Sequence, residues 1–179
     1  MSMITEKSLF NEKQNQWSNF SYEELACQHT GTMNLSEDFL IALQELRDAY
    51  GKAMTITSGY RSPEHPIEAK KSSPGYHSKG AVDIAVSGED AVKLLTLALN
   101  LGWTGIGINV PSFLHLDRRD TPTIWKYSMY CINCNHECHC SNGSKCAVCQ
   151  CINCEHPNAL DEFHKSLNKG FKEAIDEES

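Results

Sequence analysis

No run of apolar residues approaches the roughly 18 needed to cross a bilayer. The longest apolar stretch, from Ala91 to Leu101, is broken by Lys93, Thr96 and Asn100, so a membrane span is excluded. The first 17 residues are polar and contain no apolar h-region, so no secretory leader is expected and synthesis is expected to be cytoplasmic. Positive charge is in the minority, with 16 Lys and Arg against 23 Asp and Glu and a net charge of −7. That balance argues against nucleic acid as the main partner. Cysteine is nearly missing from the first 130 residues, where Cys27 stands alone; the other eight of the nine lie between Cys131 and Cys154.

What is present divides the chain into parts with different physics. Residues 18–130 carry enough apolar residues, in a chain that is 40% apolar, to bury a core. Residues 1–17 read as a flexible or loosely docked arm. Residues 131–156 have almost nothing apolar to bury and need another source of stability. Beyond Pro157, Leu160, Phe163, Leu167, Phe171 and Ile175 fall on one face of a final amphipathic helix over 157–179.

Within the long part, Ser36 is placed to cap a helix, with Leu35 and Leu40 as a hydrophobic staple and Gly51 at the end where a C-terminal glycine belongs. Strands are expected over 53–58, 81–86, 105–110, 113–117 and 123–127. Ser87 and Asp90 resemble a capping box that opens a well-buried helix reaching Leu101. Gly59 to Lys79 is a long loop punctuated by Pro63, Pro66, Pro74 and Gly75, and its length points to function. Helices and strands do not alternate as βαβ units, so the expected class is α+β rather than doubly wound α/β.

Two groups of residues carry chemistry. In Phe113 to Asp117, Leu114 and Leu116 alternate with His115 and Asp117, which puts the two polar side chains on the face away from the core. Asp83 is the only acid on the small-residue face of its strand, between Ala81 and Ala85. With His77 these make two imidazoles and a carboxylate, a set that leaves zinc an open position for water. Ordinary surface or hydrogen-bonded roles for the same residues are the competing reading.

Ser58-Gly59-Tyr60-Arg61, the His77 to Asp83 segment, Thr104 to Gly107 and Phe113 to Asp117 occur in an order that resembles the zinc D-alanyl-D-alanine carboxypeptidases and peptidoglycan endopeptidases. This is the fold group shared with the hedgehog signalling domain, and the likeness is to its small phage and bacterial members. Trp125 and Tyr127 match an aromatic closing strand. The resemblance implies a small antiparallel sheet with helices on one side, and one zinc ion on His77, Asp83 and His115. It also implies that Arg61 steadies substrate or transition-state charge. The expected reaction is hydrolysis of stem-peptide bonds in peptidoglycan. The expected routes to the wall are lysis, a holin-like pore or a virion, with virion proteins as further partners. The alternatives are a non-catalytic virion or scaffold module, or metal sequestration by the cysteine-rich segment.

The chain departs from that family in two places. Five residues, Ser78 to Val82, separate His77 from Asp83, one fewer than usual. A one-residue loss within a strand would turn Asp83 to the wrong face unless the turn at Gly80 absorbs it. Ser112 stands where many relatives carry a glutamate base. Asp117 is the remaining carboxylate nearby, either as that base or as the partner that orients His115.

The second group is Cys131, Cys134, Cys138, Cys140, Cys146, Cys149, Cys151 and Cys154, with His136, His139 and His156 interleaved. Paired C-x2-C spacings suit tetrahedral metal, and Cys-Ile-Asn-Cys recurs at 131 and 151. A four-disulfide framework would need an oxidising compartment. Metal is therefore expected, either as two structural zinc ions held by these cysteines with His136 and His156, or as a shared cluster resembling a small bacterial metallothionein. Lys145 is the one basic residue inside the cluster, so RNA binding by a zinc knuckle is not expected.

Overall fold

The computed structural model describes residues 2–109 and 112–127. The cysteine-rich segment 131–156, with its cysteine and histidine ligands, and the helix expected over 157–179 lie outside the described residues. In chain order the elements are β1 (Met3–Ile4), α1 (Lys7–Glu12), a 3-10 turn (Gln14–Gln16), α2 (Tyr22–Leu25), β2 (Leu35–Ser36) and α3 (Glu37–Tyr50). There follow β3 (Thr55–Ser58), a 3-10 turn (Tyr76–Ser78), β4 (Ala81–Ala85), α4 (Gly88–Asn100), β5 (Gly105–Asn109), β6 (Phe113–Asp117) and β7 (Thr123–Lys126).

Helix α3 begins and ends as its sequence predicts. The Ser36 hydroxyl accepts from the Phe39 N–H at 3.2 Å, and Glu37 and Asp38 place negative charge at the N-terminal end. Gly51, at φ 72°, closes the helix with its N–H on the Arg47 carbonyl. Helix α4 differs from expectation twice. The Ser87 side chain makes no capping bond, and the Asp90 carboxylate is bonded instead to Lys52 Nζ at 2.6 Å. Its burial is also one-sided: Ala91, Leu94, Leu95 and Ala98 face the core, while Leu99 is 48% exposed.

The main sheet has the order β3-β4-β6-β5-β7. The pairs β3–β4, β4–β6 and β5–β6 are antiparallel, as expected, and β7 joins β5 in parallel at one edge. The class remains α+β. Across β4 and β6, Val82 pairs with Leu116 and Ile84 with Leu114; across β5 and β6, Ile106 pairs with Leu116. These side chains form one face, packed against α3 and α4 in a single core with Leu40, Leu43, Leu46, Leu94 and Trp103. Each fully buried aliphatic side chain of this kind contributes about 1.5–3 kcal/mol.

The first 17 residues are not a loose arm. Ile4, Phe10 and Trp17 are fully buried in that same core, and β1 pairs with β2. The Phe10 ring packs on Trp17 and Tyr22 at centroid distances of 5.3 and 5.8 Å. Three large side chains carry the docking, spread over elements too short to show a period.

Candidate metal centre

The opposite face of the same three strands carries the polar residues. Register pairs Asp83 with His115 and Ala81 with Asp117 across β4 and β6, and Gly105 with Asp117 and Gly107 with His115 across β5 and β6. His77 arrives from the 3-10 turn just before β4. Gly80 makes the turn between His77 and β4. Its φ of +142° is open to glycine, and it lies so close to Phe39 that a Cβ would meet the ring at 3.3 Å. Asp83 is buried and pairs in register with His115.

The ligand atoms of His77, Asp83 and His115 lie within 4.8 Å of one another, and all three residues are buried. Among the described residues this is the one cluster of its kind. His77 Nδ1 sits 2.7 Å from the Gly59 carbonyl, which only accepts, so this nitrogen carries the proton and Nε2 is left with its lone pair. Nε2 lies 3.3 Å from Asp83 Oδ1. His115 Nδ1 lies 2.9 Å from the same Oδ1, while its Nε2 lies 3.0 Å from Asp117 Oδ2. Two imidazole nitrogens and one carboxylate oxygen thus converge, and each ring is held from behind by an oxygen acceptor, the arrangement metal-binding histidines use. The donor set fits zinc.

Arg61 belongs to this cluster. Its Nη2 donates to Asp83 Oδ2 at 3.2 Å and its Nε to Ser58 Oγ at 3.0 Å. Its backbone N–H bonds the His77 carbonyl, and Ser78 Oγ donates to the Arg61 carbonyl at 2.7 Å. The long loop is therefore tied to the centre at its two ends.

The charges follow from these contacts. Burial pushes the Asp83 carboxyl up, but the His115 and His77 rings beside it outweigh that and hold the group well below the usual carboxylate range. Burial lowers His115, and the two carboxylates beside it overcome that and raise it. Asp117 is fully buried; burial raises it, and Arg119 and His115 together bring it down to about 2. Both Asp117 oxygens are occupied, by His115 Nε2, by the Arg119 side chain and by the Arg119 N–H at 3.0 Å.

Three neighbours were not singled out from the sequence as parts of the site. Arg119 follows Asp117 by two positions, a spacing that a strand-end reading gives no reason to mark. Trp125, on the aromatic closing strand, packs on the His115 ring at 5.1 Å. Gly105 has the most specific role: a Cβ there would lie 2.0 Å from Asp117 Oδ1, so only glycine leaves room for the carboxylate. Cys27 is buried beside Ser62, and neither it nor His29 joins the metal cluster.

A family model described as Peptidase M15 matches residues 18–117, more than half of the chain. The matched stretch contains Arg61, His77, Asp83 and His115 and ends on Asp117. No curated protein matches the chain.

Proposed function

The chain belongs to the peptidase M15 family, and from that footing we propose that it hydrolyses a peptide bond of peptidoglycan stem peptides at a zinc ion held by His77, Asp83 and His115. The observation that carries this reading is the convergence of His77 Nε2, Asp83 Oδ1 and His115 Nδ1, with the far nitrogen of each imidazole held by an oxygen. Zinc bound by three such ligands supplies Lewis acidity and lowers the pKa of water to about 7.

The chain's own residues do the rest. Arg61 donates to Asp83 Oδ2 at the edge of the ligand cluster, where its guanidinium would steady negative charge that develops on the scissile carbonyl. Asp117 is shut off from solvent and saturated with donors, so its role is to orient His115, and it is not the proton-transfer base. The wall substrate is reached on lysis or from a virion. The cysteines from Cys131 to Cys154, with His136 and His156, are a second candidate metal-binding set, for two zinc ions or a shared cluster.

One observation favours a second reading, a non-catalytic module of the same fold. Ser112 stands at the base position, and Asp117 is enclosed. Muropeptide cleavage by the wild-type chain and by His115→Ala separates the two. Cleavage by wild type and none by the variant supports hydrolysis at this centre; equal activity rejects it.

A further inference from the structure

Arg119 has no part in the reaction outlined above, yet it contacts three neighbours of the centre, Tyr76, Trp125 and Asp117. Its guanidinium carbon lies 4.0 Å from the Tyr76 ring centroid and 4.5 Å from that of Trp125. Its Nε donates to Asp117 Oδ1 and Oδ2 at 2.9 and 3.2 Å, and its Nη2 donates to Oδ2. Each of these neighbours is itself joined to a ligand. Tyr76 immediately precedes His77, Trp125 packs on the His115 ring, and Asp117 accepts from His115 Nε2. Arg119 also lines a cavity of about 480 Å³ with Phe39, Tyr76, Lys79, Arg118 and Asp120.

A histidine that binds an ion through one nitrogen is fixed by what its other N–H donates to. Here that acceptor is a carboxylate whose plane is set by a forked guanidinium, and the guanidinium is in turn held between two aromatic faces. We propose that Arg119 is a positioning residue: through Asp117 it keeps the His115 proton on Nε2 and turns Nδ1 toward the ion. The proposal rests on the zinc reading of the centre. It has a distinctive consequence. Truncating Arg119 leaves a flat slot between Tyr76 and Trp125 that opens on the cavity, so a free guanidinium ion from solvent can take the missing group's place. A lysine cannot replace it, since an ammonium lacks the planar fork.

The test uses the full chain, with zinc titrated in and read at the ring nitrogens of His77 and His115 by NMR. Metal taken up by the cysteines then does not enter the reading. Arg119→Ala is expected to lose about 10–100-fold in zinc affinity at this centre and to show both His115 tautomers. Millimolar guanidinium restores affinity and the single Nε2–H tautomer; methylammonium does not, and Arg119→Lys remains impaired. The proposal is overturned by an Arg119→Ala protein that keeps the wild-type tautomer and affinity. A loss that guanidinium leaves uncorrected in a natively folded variant also overturns it. Should Arg119→Ala not fold, Asp117→Asn carries the test, and unchanged zinc affinity there overturns the proposal equally. No zinc response at His77 and His115 in wild type would instead overturn the metal centre itself, which separates the two failures.

Discussion

On β4, β5 and β6, Val82, Ile84, Ile106, Leu114 and Leu116 face the helices, while Asp83, His115 and Asp117 face the other way. Both sets are nearly closed to water. The first set is stabilised by leaving water, and apolar side chains of similar volume would serve it. The second set is penalised by leaving water and persists because its polar atoms have partners: two imidazoles and Arg61 on Asp83, His115 and Arg119 on Asp117. Equal burial therefore has opposite meanings on the two faces. One holds the fold together, and the other stores a convergent charge arrangement that the fold must stabilise.

Adjacent residues on β5 offer the sharpest way to break this comparison. Ile106 is fully buried on the helix face, and Gly105 lies under the Asp117 carboxylate on the other. Ile106→Ala is expected to cost about 2–5 kcal/mol of stability in denaturant melts while zinc affinity at the centre stays near wild type. Gly105→Ala forces a methyl into space held by a carboxylate and is expected to cost about 1–3 kcal/mol. It also displaces Asp117 and so removes zinc affinity. If the two variants lost stability and metal affinity in the same proportion, the two faces would not be separable.

The sequence disclosed much of this division. Alternation in Phe113 to Asp117 and in Ala81 to Ala85 assigns both faces correctly, because side chains in a strand can point only two ways. The cap at Ser36 and the stop at Gly51 are local chemistry and were equally readable. What was hidden is non-local. Arg119 acquires its role only when Tyr76, from the turn before β4, and Trp125, from the far edge of the sheet, meet around it. The docking of residues 1–17 depends on three isolated side chains, and nothing in their spacing marks it. The enclosure of Asp117 depends on Gly105, a strand glycine whose meaning is the absence of a side chain.

Acid offers a second, smaller test. The side chains that β4, β5 and β6 turn toward the helices, Val82, Ile84, Ile106, Leu114 and Leu116, do not titrate, whereas the loop that carries Arg61 is braced by a buried carboxylate, Glu68. Its oxygens accept from Lys71 Nζ at 2.7 Å and from the Gly75 N–H at 2.8 Å. Burial raises Glu68, and the Lys71 and Gly75 bonds outweigh that and lower it from its ordinary 4.5. A carboxyl depressed in the folded state contributes stability above its unfolded pKa and loses it as pH falls through the folded one. Glu68→Gln is therefore expected to be less stable than wild type at neutral pH, by about 1–3 kcal/mol for a hydrogen-bonded charge. That gap should close as the pH drops below 4.5. The deficit of Ile106→Ala should stay constant over the same range. Melts of both variants across that range check the contrast, and parallel pH profiles would contradict it.

The smallest expected effect tests the same contrast at the two long helices. Ser36 and Ser87 occupy equivalent positions at the starts of α3 and α4, and both have extended backbone there. Only Ser36 uses its hydroxyl, on the Phe39 N–H. At α4 the acid that would complete a capping box is bonded to Lys52, an exposed pair of the kind that contributes little. Ser36→Ala should therefore cost about 1 kcal/mol, and Ser87→Ala should fall within about 0.5 kcal/mol of wild type. Thermal melts of the two variants resolve the difference. Equal losses would mean that residue type at a helix start, rather than the bond the side chain makes, sets its contribution. The partner-by-partner account given for the charged face would then be weakened along with it.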